Sequence, residues 1–170
     1  MAQNRALRTI DGSAIELLAG DFEAAERELR TGYRIFEELG DVHLRPTIGA
    51  YLATALVQGN RVDDAEAFAE FAQSHSSEDD IVTQVMWRVA LAQVRARDGN
   101  AAPAQRLARE AVELAAPTDF LDLQATALLA LARVLRQAGA PEAADVAVQA
   151  QAVYERKGNI VGAGWAAGLV

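Results

Sequence analysis

Apolar residues recur along the chain at the spacing of amphipathic helices. The clearest stretch has apolar side chains at positions i, i+3, i+4 and i+7, namely Leu128, Leu131, Ala132 and Leu135. This spacing places them on one face of a helix. The next stretch carries Ala144 and Val148, which we expect to pack against that face. No run of alternating β-branched residues is long enough for a strand, so the pattern predicts an all-α protein.

Two interleaved series of breaks divide this helical pattern. The first series consists of turns that open with Gly or Asn, at Gly20, Asn60, Gly99 and Gly139, each followed five residues later by Ala25, Ala65, Ala104 and Ala144. Gly and Asn tolerate the left-handed conformation that ends a helix. The second series carries residues that favour N-cap positions, at Asp41, Asp79, Asp119 and Asn159. Both series repeat about every 40 residues, which predicts helix-turn-helix pairs.

The breaks give helix boundaries and an architecture. A first helix is expected to about Leu18, and the others at about 22–39, 43–58, 63–74, 79–98, 104–116, 119–138, 141–157 and 160–168. We expect one domain over residues 1–170, with pairs at about 1–39, 43–74, 79–116 and 119–157 and a cap at 160–168. The predicted fold is a right-handed superhelical stack of about four antiparallel hairpins with a short C-terminal capping helix. Each hairpin buries its apolar face only by stacking on its neighbours.

Small residues are expected where the helices of a pair cross. Ala132 and Ala144 would let the two backbones of the fourth pair approach closely, so a large side chain at either position should overpack the crossing. Trp87 and Trp165 are interpreted as packing residues.

These features resemble the tetratricopeptide repeat family over essentially the whole chain. The shared features are the mid-helix Leu-Ala pairs at 52–53, 91–92 and 131–132, the turn at 20–25, and the alanine that follows each turn. The period is nearer 40 than the usual 34 of the family. The family's first-helix tryptophan and terminal proline are mostly missing, and Trp87 does not lie at the expected position. Residues 20–39, 106–112 and 154–159 are similar to the C-terminal repeat region of actinobacterial signalling ATPases, which is often fused to a nucleotide cyclase or DNA-binding regulator domain. That resemblance implies a fragment of a longer parent that ends near its natural C-terminus.

Composition excludes several classes of function. The net charge of −8 argues against nucleic acid, because phosphate binding needs a concentrated basic face. No basic amphipathic helix favours a membrane surface, and no stretch approaches the length of a membrane span. Residues 1–5 lack the apolar core of a signal peptide, so a cytoplasmic location is expected. With no cysteine and no phosphate-binding glycine loop, we expect no catalytic site, no cofactor and no metal. His43 and His75 are interpreted as loop residues rather than ligands.

The candidate site follows from the expected stacking of the first helices of successive pairs. One period of 40 residues aligns polar side chains into two ladders, Thr54 with Gln93 and Arg133, and Gln58 with Arg97 and Gln137. Ala50, Val89 and Leu129 would form an apolar floor beneath them, with Val82, Met86, Asp122 and Thr126 on the same helix faces. An apolar floor with hydrogen-bonding edges suits a binding groove; an ordinary solvated face is the alternative. Arg97, Arg133 and Arg136 would make the groove locally basic, which favours an acidic peptide or a carboxylate.

Three functions fit this pattern. The first is a regulatory module of a larger signalling protein that binds a protein or peptide in the groove. The second is a sensor that binds a small effector and is coupled to an ATPase, cyclase or DNA-binding domain. The third is self-association as a homodimer. An open groove favours the first function, whereas a deep closed pocket favours the second.

Overall fold

The computed structural model describes residues 8–9, 12–13, 15–17 and 19–170. Eight helices lie wholly within this part of the chain. They are α1 (Phe22–Glu38), α2 (Leu44–Gln58), α3 (Val62–His75), α4 (Ile81–Arg97), α5 (Ala101–Ala115), α6 (Leu121–Gln137), α7 (Ala143–Lys157) and α8 (Ile160–Ala167). The described residues from 8 to 19 are also helical. The all-α class is confirmed, and the predicted boundaries agree within three residues. Leu18, the expected end of the first helix, and residues 1–5 lie outside the described residues.

Helices that are consecutive in sequence pack against each other, and the first helices of successive hairpins also contact one another. Thus α2 packs on α4, and α4 packs on α6. The second helices, α3, α5 and α7, pack mainly on their sequence neighbours. The first helices of the repeat-like hairpins therefore form one layer. The right-handed superhelix stays a prediction.

The turns owe their shape to residues with positive φ. Asn60 has φ 62°, and the turn glycines at 20, 99 and 139 have φ between 67° and 80°, as the sequence predicts. The N-caps agree less well with the predicted positions than the turns do. Asn159 accepts a hydrogen bond from the Gly162 amide at 2.9 Å, but it is Asp80, not Asp79, that caps α4 by accepting from the Thr83 amide at 3.1 Å. Asp119 makes no cap bond, because Phe120 occupies the N-cap position of α6.

Alanine fills the crossings of the hairpins, with one shift of register. Ala25, Ala65 and Ala104 are fully buried, as expected. Ala144 is exposed and Val148 is 50% exposed, so their predicted packing is wrong. The turn after Gly139 extends to Glu142, and α7 begins at Ala143. The buried stripe of α7 therefore falls one residue earlier, on Ala143, Ala147, Ala150 and Tyr154.

The core is built from two clusters. The larger one runs from α1 to the start of α7 and includes Trp87, which is 4% exposed, as the packing interpretation predicts. The smaller cluster joins α6, α7 and α8 around Leu129, Tyr154 and Ala163.

His75 is the last residue of α3, not a loop residue, and its ring stacks on the Phe71 ring with the centroids 4.2 Å apart.

Candidate functional site

A cavity of about 450 Å³ lies among the first helices of the last three hairpins. It is bounded by α2, α4 and α6, by the C-terminal end of α7, by α8, and by Leu17 from the helical residues before α1. Asp119, Phe120 and Lys157 line it and are exposed, so they mark the side that faces solvent. The volume is within the range of small-molecule sites.

The wall from α2 and α4 is mostly apolar with a buried polar edge. Val82 and Met86 of α4 supply apolar surface. The Thr54 hydroxyl is already bonded within the protein, since it lies 3.0 Å from the Ala50 carbonyl oxygen and 3.3 Å from that of Met86. Tyr51 stands on the same wall, with its ring packed against the core.

The Tyr51 hydroxyl lies in a negatively charged environment. Burial raises the pKa of the Tyr51 hydroxyl, and the charges of Asp80 and Asp122 raise this pKa further. The two carboxylates disfavour a further negative charge near this hydroxyl. The cavity wall is thus unfavourable for an anion at Tyr51.

The opposite wall comes from α6 and α7. Asp122 and Thr126 lie one turn apart on α6, and the Lys157 ammonium lies 3.2 Å from Asp122 Oδ2. Tyr154 of α7 is buried between them and α8. Burial raises the pKa of Tyr154, while a hydrogen bond with Thr126 and the charge of Arg133 oppose that rise.

The C-terminal helix completes the cavity through a close approach. A Cβ atom at Gly162 would lie 2.6 Å from the Tyr154 ring, so only glycine lets α8 approach this ring as it does. Trp165 of α8 lines the cavity and contacts Phe22 of α1, with ring centroids 5.5 Å apart. The last helix therefore meets the first described hairpin beside the cavity.

Three residues of the cavity lining carry buried polar atoms that have no hydrogen-bond partner in the described part of the chain. These atoms are Gln58 Oε1, Asp122 Oδ1 and Asn159 Nδ2. The other oxygens of Asp122 and Asn159 are engaged, by Lys157 and by the Gly162 amide respectively. A buried polar atom without a partner costs about 1–3 kcal/mol. Two acceptors and one donor that belong to lining residues therefore lack partners in the described part of the chain, and protein atoms cover all three.

The structure divides the predicted groove residues into separate environments. Thr54 and Gln58 line the cavity. Val89 and Leu129 are buried in the core, so they do not form an accessible floor.

The expected alignment of the ladders is visible between α4 and α6. Arg133 Nη1 lies 3.5 Å from Gln93 Oε1, and Gln137 Nε2 donates to the Ala96 carbonyl at 2.8 Å. The repeat of 40 residues therefore places the expected helix positions side by side. These contacts join neighbouring helices, and the three side chains involved are outside the cavity lining.

The expected basic groove is not formed. Arg97 pairs with Asp63 at the start of α3 and with Asp98, so it reaches a second helix of a hairpin. Arg136 donates to the Gly168 carbonyl at 2.9 Å. Arg133 is half-buried, and desolvation lowers its pKa. None of the three arginines lines the cavity, where the charged residues of the described part of the chain are two aspartates and one lysine.

Sequence reasoning missed the residues that close the cavity. Tyr154, Lys157, Asn159 and Trp165 lie on α7 and α8, whereas the site was expected on the first helices of the pairs. The signals available were the buried-type aromatic near the end of α7 and the glycine at 162, which allows a close helix contact.

No family model matches the chain, and no curated protein matches it significantly. Within the described residues, no helix combines the length and the apolar character that a membrane span requires.

Proposed function

We propose that this chain is a small-molecule-binding regulatory domain whose ligand occupies the cavity between α2, α4, α6 and α8. The observation that carries the proposal is the cavity of about 450 Å³, whose lining combines apolar side chains with three polar residues, Gln58, Asp122 and Asn159, that each carry an unpartnered buried polar atom. A ligand with matching groups would satisfy these atoms once their side chains turn toward it, and it would cover the apolar surface of Val82 and Met86. Sites of this kind combine an apolar lining with a few polar groups that orient the ligand.

The position of the cavity suits regulation. Its lining includes Leu17 near the start of the described chain and Trp165 near its end. A bound molecule would contact both, as well as three hairpins between them. A ligand shifts a conformational equilibrium when it binds one arrangement of such elements better than another. Binding here would favour the arrangement in which the first hairpin and α8 meet.

A protein or peptide partner has less support from this geometry. The apolar floor expected for an open groove is core, and Arg97 is neutralised by carboxylates. The signalling context of a larger parent protein is a proposal that depends on the resemblance alone.

A screen for thermal stabilisation tests the proposal. The purified 170-residue chain is tested against a small-molecule collection balanced between cations, anions and neutral compounds, and hits are confirmed by isothermal titration calorimetry. We expect stabilising compounds, because a ligand at about 100 times its Kd raises the free energy of unfolding by about 2.7 kcal/mol.

A matched pair of variants locates the binding. Val82→Phe fills the cavity, whereas Val148→Phe makes the same change on the exposed side of α7, where Val148 is 50% exposed. We expect Val82→Phe to abolish the stabilisation and Val148→Phe to retain it. A screen without hits, or hits that bind Val82→Phe as tightly as the parent chain, would refute the proposed function.

A further inference from the structure

The charged residues of the cavity favour a positive ligand. Asp119 and Asp122 contribute two carboxylates, and Lys157 contributes one ammonium, so the described residues of the lining carry a formal charge of minus one. Lys157 is already paired with Asp122 at 3.2 Å. A carboxylate or phosphate ligand would therefore meet no uncommitted cation among the described residues of the lining.

The unpartnered atoms point in the same direction. Gln58 Oε1 and Asp122 Oδ1 are acceptors without a donor in the described part of the chain, and both belong to residues of the lining. An ammonium group offers three N–H donors and no acceptor. A hydrogen bond between an ammonium and the Asp122 carboxylate would be charge-assisted, and such bonds are about twice as strong as neutral ones.

Most of the remaining lining is aromatic or aliphatic, apart from Thr54 and Thr126. Tyr51, Phe120, Tyr154 and Trp165 place four rings around the cavity, next to the aliphatic side chains of Val82 and its neighbours. Ring faces attract cations, and the interaction strengthens when the cation is desolvated. The same surfaces would cover an apolar ligand body.

We propose that the ligand of this cavity is a small primary amine with an apolar or aromatic body, bound as its cation with the ammonium group at Asp122. This inference depends on the proposed function, since it names the class of molecule that the cavity takes. Asn159 Nδ2, the free donor, would bond an acceptor on the ligand if the ligand carries one. Compounds that carry a carboxylate in place of the amine would be excluded by the negative charge of the lining.

Three probes that share a phenyl ring test the charge preference by calorimetry at pH 7. They are phenethylamine, which is a cation, 2-phenylethanol, which is neutral, and 3-phenylpropionate, which is an anion. We expect phenethylamine to bind about tenfold more tightly than 2-phenylethanol, and 3-phenylpropionate to bind most weakly.

Charge variants assign the preference to Asp122. Asp122→Asn should weaken phenethylamine binding about tenfold and change 2-phenylethanol binding less than about twofold. Lys157→Gln removes the competing cation and should strengthen phenethylamine binding. Asp145→Asn is the matched control, because Asp145 is exposed in the first turn of α7 and outside the cavity lining. Circular dichroism verifies that each variant is folded.

The outcomes separate this inference from the proposed function. If 3-phenylpropionate binds as tightly as phenethylamine, or if Asp122→Asn and Asp145→Asn have equal effects, the amine inference is wrong. If Val82→Phe nevertheless weakens the binding of these probes, the proposed function is retained. If none of the three probes binds at about 10 mM, a concentration that corresponds to a binding free energy of only about 2.7 kcal/mol, the amine inference is also wrong. The proposed function is then decided by the screen.

Discussion

The approach of α8 to Tyr154 makes Gly162 a sharp test of the structure. A Cβ atom built on Gly162 lies 2.6 Å from Tyr154 Cδ1 and Cε1 and 2.9 Å from Cγ. Carbon atoms in favourable contact are about 3.5–4.0 Å apart. Gly162→Ala therefore requires the ring or the helix to move by roughly 1 Å, against a side chain that is 2% exposed. Gly164, two residues along the same helix, has no heavy atom within 4 Å of its Cβ position.

The magnitude follows from two opposing terms. Overpacking of this kind costs about 1–3 kcal/mol, whereas exchanging glycine for alanine within a helix stabilises by roughly 0.5–1 kcal/mol. We expect Gly162→Ala to lower the free energy of unfolding by about 1–2 kcal/mol, which is a decrease in Tm of roughly 2–8 °C in a domain of this size. Gly164→Ala keeps only the favourable term, so we expect an increase of about 0.5–1 kcal/mol.

Urea unfolding followed by circular dichroism measures both variants, with a thermal scan as a second measurement. The comparison is internal to one short helix, so changes in α8 that affect both positions cancel. If Gly162→Ala is as stable as Gly164→Ala, the contact between α8 and Tyr154 is wrong, and with it the closure of the cavity on that side.

Three further results are expected. Ala132→Trp should lower the free energy of unfolding by about 2–3 kcal/mol, because Ala132 is fully buried at a helix crossing. Ala144→Trp changes an exposed position, so it should shift Tm by less than about a degree. Equal effects of the two variants in thermal unfolding would contradict the register of α7. Burial raises the pKa values of Tyr51 and Tyr154 above the unfolded value of about 10, so the stability that they provide is complete below about pH 10 and is lost as the pH rises through the folded values. Urea unfolding at several pH values from 8 to 11 should show this decline, and Tyr154→Phe should flatten it. Arg133→Met should leave the free energy of unfolding within about 1 kcal/mol of the parent, because Arg133 forms no ion pair in the described residues; a loss above about 2 kcal/mol would show that the guanidinium contributes more than its bond to Gln93.

The helical architecture was predictable because its signals are local. Asn60 and the turn glycines must adopt positive φ, and few other residues do so without strain. Each such residue therefore marks the end of a helix. The contact between Gln93 and Arg133 was predictable for a related reason, since a repeat of 40 residues places equivalent positions on neighbouring first helices. The register of α7 was not predictable in this way, because two additional turn residues before Ala143 shift its buried stripe without disturbing the spacing of the glycines.

The candidate site was only half predictable. Thr54, Gln58, Val82 and Met86 lie on faces that the repeat identifies, and they do line the cavity. A repeat describes contacts between adjacent units, however, and contains no information about a contact between units at opposite ends. Trp165 reaches the cavity through such a contact. Helical spacing also does not predict which carboxylate an arginine pairs with, since Arg97 bonds to Asp63 on a different helix.

The contact between Phe22 and Trp165 constrains how this chain can change. Repeat proteins commonly grow or shrink by whole units, because each unit touches only its neighbours. Here the ring of Trp165 lies 5.5 Å from that of Phe22 and close to Gly20, across more than three repeats of sequence. Insertion or deletion of one hairpin would move α8 away from α1 and open the cavity. Duplication, the usual route by which such proteins diversify, is therefore incompatible with this site, and substitutions in the lining remain as the means of altering what it binds.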